Sequence, residues 1–256
     1  MLSITDDGLV RTLTIDNPGT RNAVPREGWV MLATLIGEFE ESDQRVLVIT
    51  GAGEDFCSGA DLSGDMATMT STITSYAWMQ SVASATRALH GLTKPAVAAV
   101  DGVAVGAGMN LALGCDVVVA TDRSRFSEIF VRRGLTVDFG GTWLLPRLIG
   151  LAKAKELALT GRILSGSEAY EYGLVAQVVA PDALQAQAAA VATELASGAP
   201  VAQRFIKTGF NRALEMSFDE ALEYESMAQV ACFGSEDVIE GITSFVEKRP
   251  PEFKGK

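Results

Sequence analysis

Between residues 8 and 16 the chain alternates apolar and polar side chains (Gly-Leu-Val-Arg-Thr-Leu-Thr-Ile-Asp), the mark of a half-buried strand, and Asn17-Pro18-Gly19 closes it as a turn. From about Arg26 to Glu41 the period changes. Trp29, Leu32, Ala33, Ile36 and Phe39 recur at helical spacing and predict an amphipathic helix. Val46-Leu47-Val48-Ile49-Thr50 is a short apolar run bounded by Gly51, as in a parallel strand buried on both faces. A long helix is expected over Ile73–Leu92, ended by Pro95, followed by a second buried strand at Ala96–Val100. A helix over Ala107–Leu113 and a strand over Val117–Thr121 come next. Between Ser63 and Thr74 the chain is rich in Thr, Ser and Met and is expected to be mobile. From Leu151 onward it reads as almost all helix: Ala152–Leu159, Gly166–Tyr172, Ala183–Ser197 and a long region Pro200–Cys232. Short strands alternating with helices predict an α/β core. No low-complexity segment or internal repeat stands out.

At 256 residues the chain can bury a full core. Apolar residues make up 48% and charged ones 21%, the balance of an ordinary globular protein. The net charge of −11 argues against a nucleic-acid partner, because phosphate binding needs a clustered positive surface. Cys57, Cys115 and Cys232 are odd in number and far apart, which suggests a reducing compartment and offers no zinc-ligand spacing. The N-terminal residues show no basic flank and no long apolar run, so no signal peptide is expected, and no stretch is long enough to span a bilayer. The expected location is the cytoplasm, with no membrane contact.

The chemistry is concentrated in two segments, Asp55-Phe56-Cys57-Ser58-Gly59-Ala60-Asp61-Leu62 and Gly106-Ala107-Gly108-Met109-Asn110-Leu111. Each reads as a strand running into a small-residue turn and then a helix, an arrangement that leaves backbone N–H groups free in the turn. Two such turns facing each other would make an oxyanion hole with two donors. A dinucleotide fold is poorly supported, since Leu111 stands where a third glycine would complete the fingerprint. The pair resembles the enoyl-CoA hydratase/isomerase (crotonase) family. That resemblance implies a spiral of ββα units over residues 1–195, carrying the acyl-CoA site. It also implies an all-helical C-terminal region over 196–256 that covers the site and assembles homotrimers or dimers of trimers. It places the oxyanion donors on the amides of Ala60 and Ala107, with Asp61 and Leu62 continuing along the pantetheine arm. No permanently bound cofactor or metal is expected; coenzyme A comes as part of the thioester substrate.

The acid/base positions depart from the family's hydratases. Their two glutamates match Asn110 and Phe130 here, and neither side chain can exchange a proton at neutral pH. Hydration needs a base on the water and an acid at the α-carbon, so the ordinary hydratase mechanism lacks its parts. Gly134–Arg147 resembles the loop that closes over the acyl chain in relatives, and Asp138 sits where certain Δ3,Δ2-enoyl-CoA isomerases and an aryl-CoA dehalogenase place their catalytic carboxylate. The stretch most resembles ring-1,2-epoxyphenylacetyl-CoA isomerases. A single carboxylate suits a 1,3-proton shift, and an apolar pocket formed by Phe130, Phe139 and Trp143 would raise its pKa toward a useful base strength. Met66–Trp78 is expected to line the same pocket. The dehalogenase's assisting histidine falls on Ala83, which weakens that chemistry.

His90, the only histidine, reads as a last-turn helix residue and not as a base. With no Gly-x-Ser-x-Gly turn, a serine-hydrolase triad is unsupported. Arg21-Asn22-Ala23 matches the family's adenine-side turn. Lys248, in the family-like ending Glu240–Arg249 that also holds Phe245, would reach the phosphates from a neighbouring subunit. The reading is therefore an acyl-CoA isomerase with Asp138 as base. The alternatives are a 2-enoyl-CoA hydratase with rearranged acid/base groups and a non-catalytic acyl-CoA-binding protein.

Overall fold

The structure, a computed structural model, describes residues 1–62 and 72–256. The expected mobile segment lies outside the described residues up to residue 71; Thr72–Thr74 already belongs to a helix. In place of one strand over 8–16 the chain opens with a hairpin, β1 (Leu2–Asp7) and β2 (Val10–Ile15), turning at Gly8 with φ +56°. Then come α1 (Arg26–Glu40), β3 (Val46–Gly51), α2 (Thr72–Gly91), β4 (Ala96–Val100), β5 (Val103–Val105), α3 (Ala107–Leu113), β6 (Val117–Thr121) and β7 (Arg125–Ser127). A 3-10 turn, Ile129–Arg133, leads to α4 (Gly141–Ile149) and α5 (Leu151–Thr160). The rest comprises β8 (Leu164–Ser165), α6 (Gly166–Glu171), β9 (Gln177–Val179), α7 (Leu184–Ala196), α8 (Pro200–Arg212), α9 (Phe218–Phe233) and α10 (Glu236–Glu247). The C-terminal part is thus mostly helical, but β8 and β9 interrupt it. The expected long helical region 200–232 is two helices parted at residues 213–217.

The larger sheet runs β1-β2-β3-β4-β6-β9; only the β1–β2 pair is antiparallel. Its central strands are buried on both faces, which explains their unbroken apolar runs. Val46, Val48, Val97, Ala99 and Val119 point to one face, which α7 covers with Leu184, Ala188, Ala192 and Ala196. Leu47, Ile49, Ala96, Ala98 and Val100 point to the other, joining Trp29, Leu32, Ile36 and Phe39 of α1. The alanines of α7 recur every four residues, so the helix lies close on the sheet.

A second, smaller sheet runs β5-β7-β8. Two single bridges extend it, Cys57 with Ala104 and Val24 with Ala60. Those bridges fix the first of the two glycine-alanine segments against β5, and so carry it into register with the second.

Candidate active site

One wall of the site is backbone. Val24 N donates to the Gly59 carbonyl at 2.8 Å, Asp61 N to Val24 at 3.0 Å and Val105 N to Cys57 at 3.1 Å, so Cys57–Asp61 is held from both sides. Among the described residues the amides of Ala60 and Ala107 find no acceptor, and both residues line one cavity of about 470 Å3. Glycine is required here for two reasons. Gly59 and Gly106 take φ +90° and +58°, which aims the following amides inward. Gly108 has no room for a Cβ, because the Cys57 carbonyl occupies that place. The two halves meet as expected, with one difference. Ala60 follows an extended segment, and Ala60–Leu62 are not helical; the next described helix is α2.

The facing wall carries carboxyls. Asp138, on the loop before α4, lines the cavity, and burial pushes its pKa up to about 6, leaving it mostly ionised at neutral pH. Behind it lies a residue the sequence reading passed over. Glu128 is fully buried, and burial, with Asp138 as a second cause, pushes its carboxyl up to about 8. Asp138 is therefore not, as the sequence implied, the sole buried carboxyl of the region, although Asn110 and Phe130 still stand at the two positions where the family's hydratases carry glutamates. A signal was present: Phe126, Glu128 and Phe130 stand at alternate positions, and all three are buried. Asn110, also fully buried, joins the two: its Nδ2 donates to the Asp138 backbone carbonyl at 3.0 Å and to Glu128 Oε2 at 3.3 Å. A Cβ on Gly141 would collide with that amide, so α4 must begin with glycine for Asn110 to reach the loop.

Of the other expected residues, Arg21, Leu62 and Phe130 line the cavity, as does Trp78 of α2; Met66 lies outside the described residues. Ala23 and Asp61 flank it without lining it. Trp143 and Phe139 are placed elsewhere. Phe139 turns inward onto Trp29, with ring centroids 5.3 Å apart. Trp143 lies on the far side of α4, edge-on to His90 at 4.9 Å, with the Arg147 guanidinium 3.8 Å over its ring and its Nε1 donating to Glu215 at 3.2 Å. Trp143 looks away because it stands on α4, a helix where an acyl-covering loop was expected, whereas Phe139 lies in the turn before that helix, in left-handed backbone at φ +48°. His90 is a last-turn residue of α2, as expected. Phe245 and Lys248, on and just after α10, are exposed and do not reach this cavity within the chain. Arg125 and Arg133, unremarked in the sequence, add two exposed cations to its rim.

Neither buried cysteine is activated as a nucleophile. Burial pushes the Cys57 thiol up to about 12, and Cys115 is raised likewise. Among the described residues no group of three or more His, Cys, Asp or Glu side chains could hold a metal ion. No described helix is long and apolar enough to cross a membrane. The cavity can therefore polarise a carbonyl between two amides and move a proton on one carboxylate beside it.

Known proteins resemble this chain over nearly its whole length. The profile described as Enoyl-CoA hydratase/isomerase matches residues 6–256. The chain is 38% identical over 253 residues to the short-chain-enoyl-CoA hydratase of Clostridium acetobutylicum, covering 98% of this chain and 96% of the relative. It is also 38% identical over 250 residues to the 1,2-epoxyphenylacetyl-CoA isomerase of Escherichia coli, covering 96% and 95%. The crystal structure of an enoyl-CoA hydratase from Bacillus anthracis superposes with a TM-score of 0.95 at 31% identity, over 100% of this chain and 99% of that one. Two unpaired amides facing a buried carboxyl, on a fold shared from end to end, make this chain a member of the enoyl-CoA hydratase/isomerase (crotonase) family.

Proposed function

We propose that the protein isomerises an unsaturated or ring-epoxide acyl-CoA through a thioester enolate. One observation carries the reading: Asp138 is the only carboxyl among the described residues that line the cavity also holding the free amides of Ala60 and Ala107. For a 3-enoyl thioester, the Asp138 carboxylate takes a proton from C2. The C–H electrons pass into the carbonyl and form a dienolate, whose oxygen accepts from both amides. The same carboxyl, now protonated, returns the proton to C4 and the double bond moves into conjugation. Stabilisation of the oxyanion by each amide is worth about 3–4 kcal/mol in such sites. Asp138 suits the task, since a base with a pKa near 6 is ionised at rest yet strong enough to accept a carbon-bound proton in an apolar pocket.

A second reading is hydration of a 2-enoyl-CoA. Glu128 favours it by supplying a second carboxyl, and several relatives bear the name of a hydratase. Against it, Glu128 does not line the cavity, and its raised pKa leaves it uncharged at neutral pH and unsuited to activating water.

Arg21, Arg125 and Arg133 at the rim are suited to the phosphates of coenzyme A in a chain otherwise charged −11. Self-association would cover the apolar side chains of the C-terminal helices: Phe210, Phe218 and Phe245 are 77%, 77% and 83% exposed. In such an assembly Phe245 and Lys248 would serve a neighbouring subunit's site.

The test follows the absorbance of the conjugated thioester with wild type and Asp138→Asn. Absorbance rising with a 3-enoyl-CoA, and lost in the variant, is the expected result. Absorbance falling with a 2-enoyl-CoA, unaffected by the substitution, would overturn the reading in favour of hydration.

A further inference from the structure

The wall behind Asp138 is short of hydrogen-bond donors. Asn110 Oδ1, Glu128 Oε1 and Asp138 Oδ1 are buried and have no partner among the described residues. Both protons of the Asn110 amide are already committed, one to Glu128 Oε2 and one to the Asp138 backbone carbonyl. With both carboxyls ionised, the three unpartnered atoms would all be acceptors stripped of solvation, and two like charges would be buried together. One proton removes most of this conflict: on Glu128 it turns an orphan acceptor into a donor and leaves a single charge in the cluster. Placing that proton on Asp138 would destroy the base. Glu128 is the deeper of the two and the one kept out of the cavity, so it is the better place for a neutral group.

We propose that Glu128 is a proton-carrying positioning residue, un-ionised in the working enzyme, which acts through Asn110 to hold Asp138 in place as the free base. It touches no reacting atom. The bridge runs from the Glu128 carboxyl to the Asn110 side chain and on to the Asp138 carbonyl, fixing the loop on which the base is carried. Other charged groups near the pair are Arg125 and Arg133, which flank Glu128 on β7 and the 3-10 turn. Both stand exposed at the rim, and neither donates to either carboxyl among the described residues. Cys57, which packs against Gly108 of α3, keeps its thiol protonated over the working range. When Glu128 ionises, the cluster loses its donor and gains a second negative charge beside Asp138. Activity then falls on the alkaline side, near the Glu128 pKa of about 8.

The proposal rests on Asp138 being the base, and two measurements keep the claims apart. In protein labelled with 13C at the glutamate side-chain carboxyls, one glutamate resonance should remain un-ionised at neutral pH and titrate near pH 8. If every glutamate has ionised by pH 6, the proposal is overturned whatever Asp138 does. This measurement uses the wild-type chain, so it decides even if a variant fails to fold. The second is the pH profile of kcat with a 3-enoyl-CoA. Wild type should be bell-shaped and fall about tenfold from its maximum by pH 9, whereas Glu128→Gln, a neutral isostere, should keep its plateau to that pH. An inactive Asp138→Asn together with a Glu128→Gln that retains the wild-type alkaline fall overturns the role of Glu128 alone. A fully active Asp138→Asn overturns the reading of Asp138 itself, and the proposal with it; the carboxyl titration then reports only where the proton resides.

Discussion

The two walls of the cavity are built on opposite principles. The amide wall is backbone, clamped by ladder hydrogen bonds on both sides, with glycines at 59, 106 and 108 wherever a side chain would strain or collide. Its two free donors face an open cavity, where a substrate oxygen or water can satisfy them. The carboxyl wall is made of side chains, and three of its oxygens are buried without a partner. The first wall keeps its geometry through covalent stiffness and sheet pairing. The second keeps its chemistry by tolerating a local deficit, since burial is what lifts Asp138 toward a useful base and Glu128 higher still. Stability is concentrated on one side of the site and relinquished on the other.

Substitutions can set the walls against each other. The largest expected effect is on the carboxyl wall: Asp138→Asn should lower kcat for a 3-enoyl-CoA by about 10^3–10^4-fold with unchanged circular dichroism, read by thioester absorbance. Next comes the stability of that wall against pH. The folded pKa of Glu128 lies near 8, above its ordinary 4.5, so the folded state holds this proton more tightly than the unfolded one. Its contribution is therefore full at low pH and is lost as the pH rises from about 5 to 8. Urea unfolding should show wild type losing about 4 kcal/mol relative to Glu128→Gln across that window.

On the amide wall, Gly108→Ala drives a methyl into the Cys57 carbonyl and parts the two turns. We expect kcat to fall about 10^2-fold, as for the loss of an oxyanion donor, with about 1–3 kcal/mol of destabilisation in the same unfolding assay. An equal loss from Gly108→Ala and Asp138→Asn would mean that the walls do not divide the work as described. The smallest effect belongs to a residue on neither wall. Trp143→Phe removes the bond to Glu215 and should cost about 1 kcal/mol while leaving kcat and KM within twofold.

The resemblance carried by the two glycine-alanine segments led to the family, and the period of the apolar residues led to most of the elements. Ala96–Val100, Ala107–Leu113 and Val117–Thr121 have the bounds expected of them, because a strand buried on both faces and a fully buried helix leave unbroken apolar runs. Strands of two or three residues such as β5, β7 and β8 leave no period to read, and β1 hid in a polar N-terminus. At the site, Ala60, Ala107 and Asp138 were legible as a motif. Glu128 carries no such mark, because the motif points to position 130, two residues further on, where Phe130 stands.

By itself the sequence determined the backbone side of the chemistry: where the chain must turn tightly, where glycine is indispensable, and which amides are left free. Those are local properties, set by φ, by steric contact and by hydrogen-bond pairing within a few residues. Tertiary structure alone decided which side chains share the cavity. It turned Phe139 onto Trp29 before α4 and Trp143 to the far face of that helix, and it brought Glu128 and Asp138 together across Asn110 from separate segments. A carboxyl's charge depends on the water and the partners left around it, and these are fixed only when distant segments close over it.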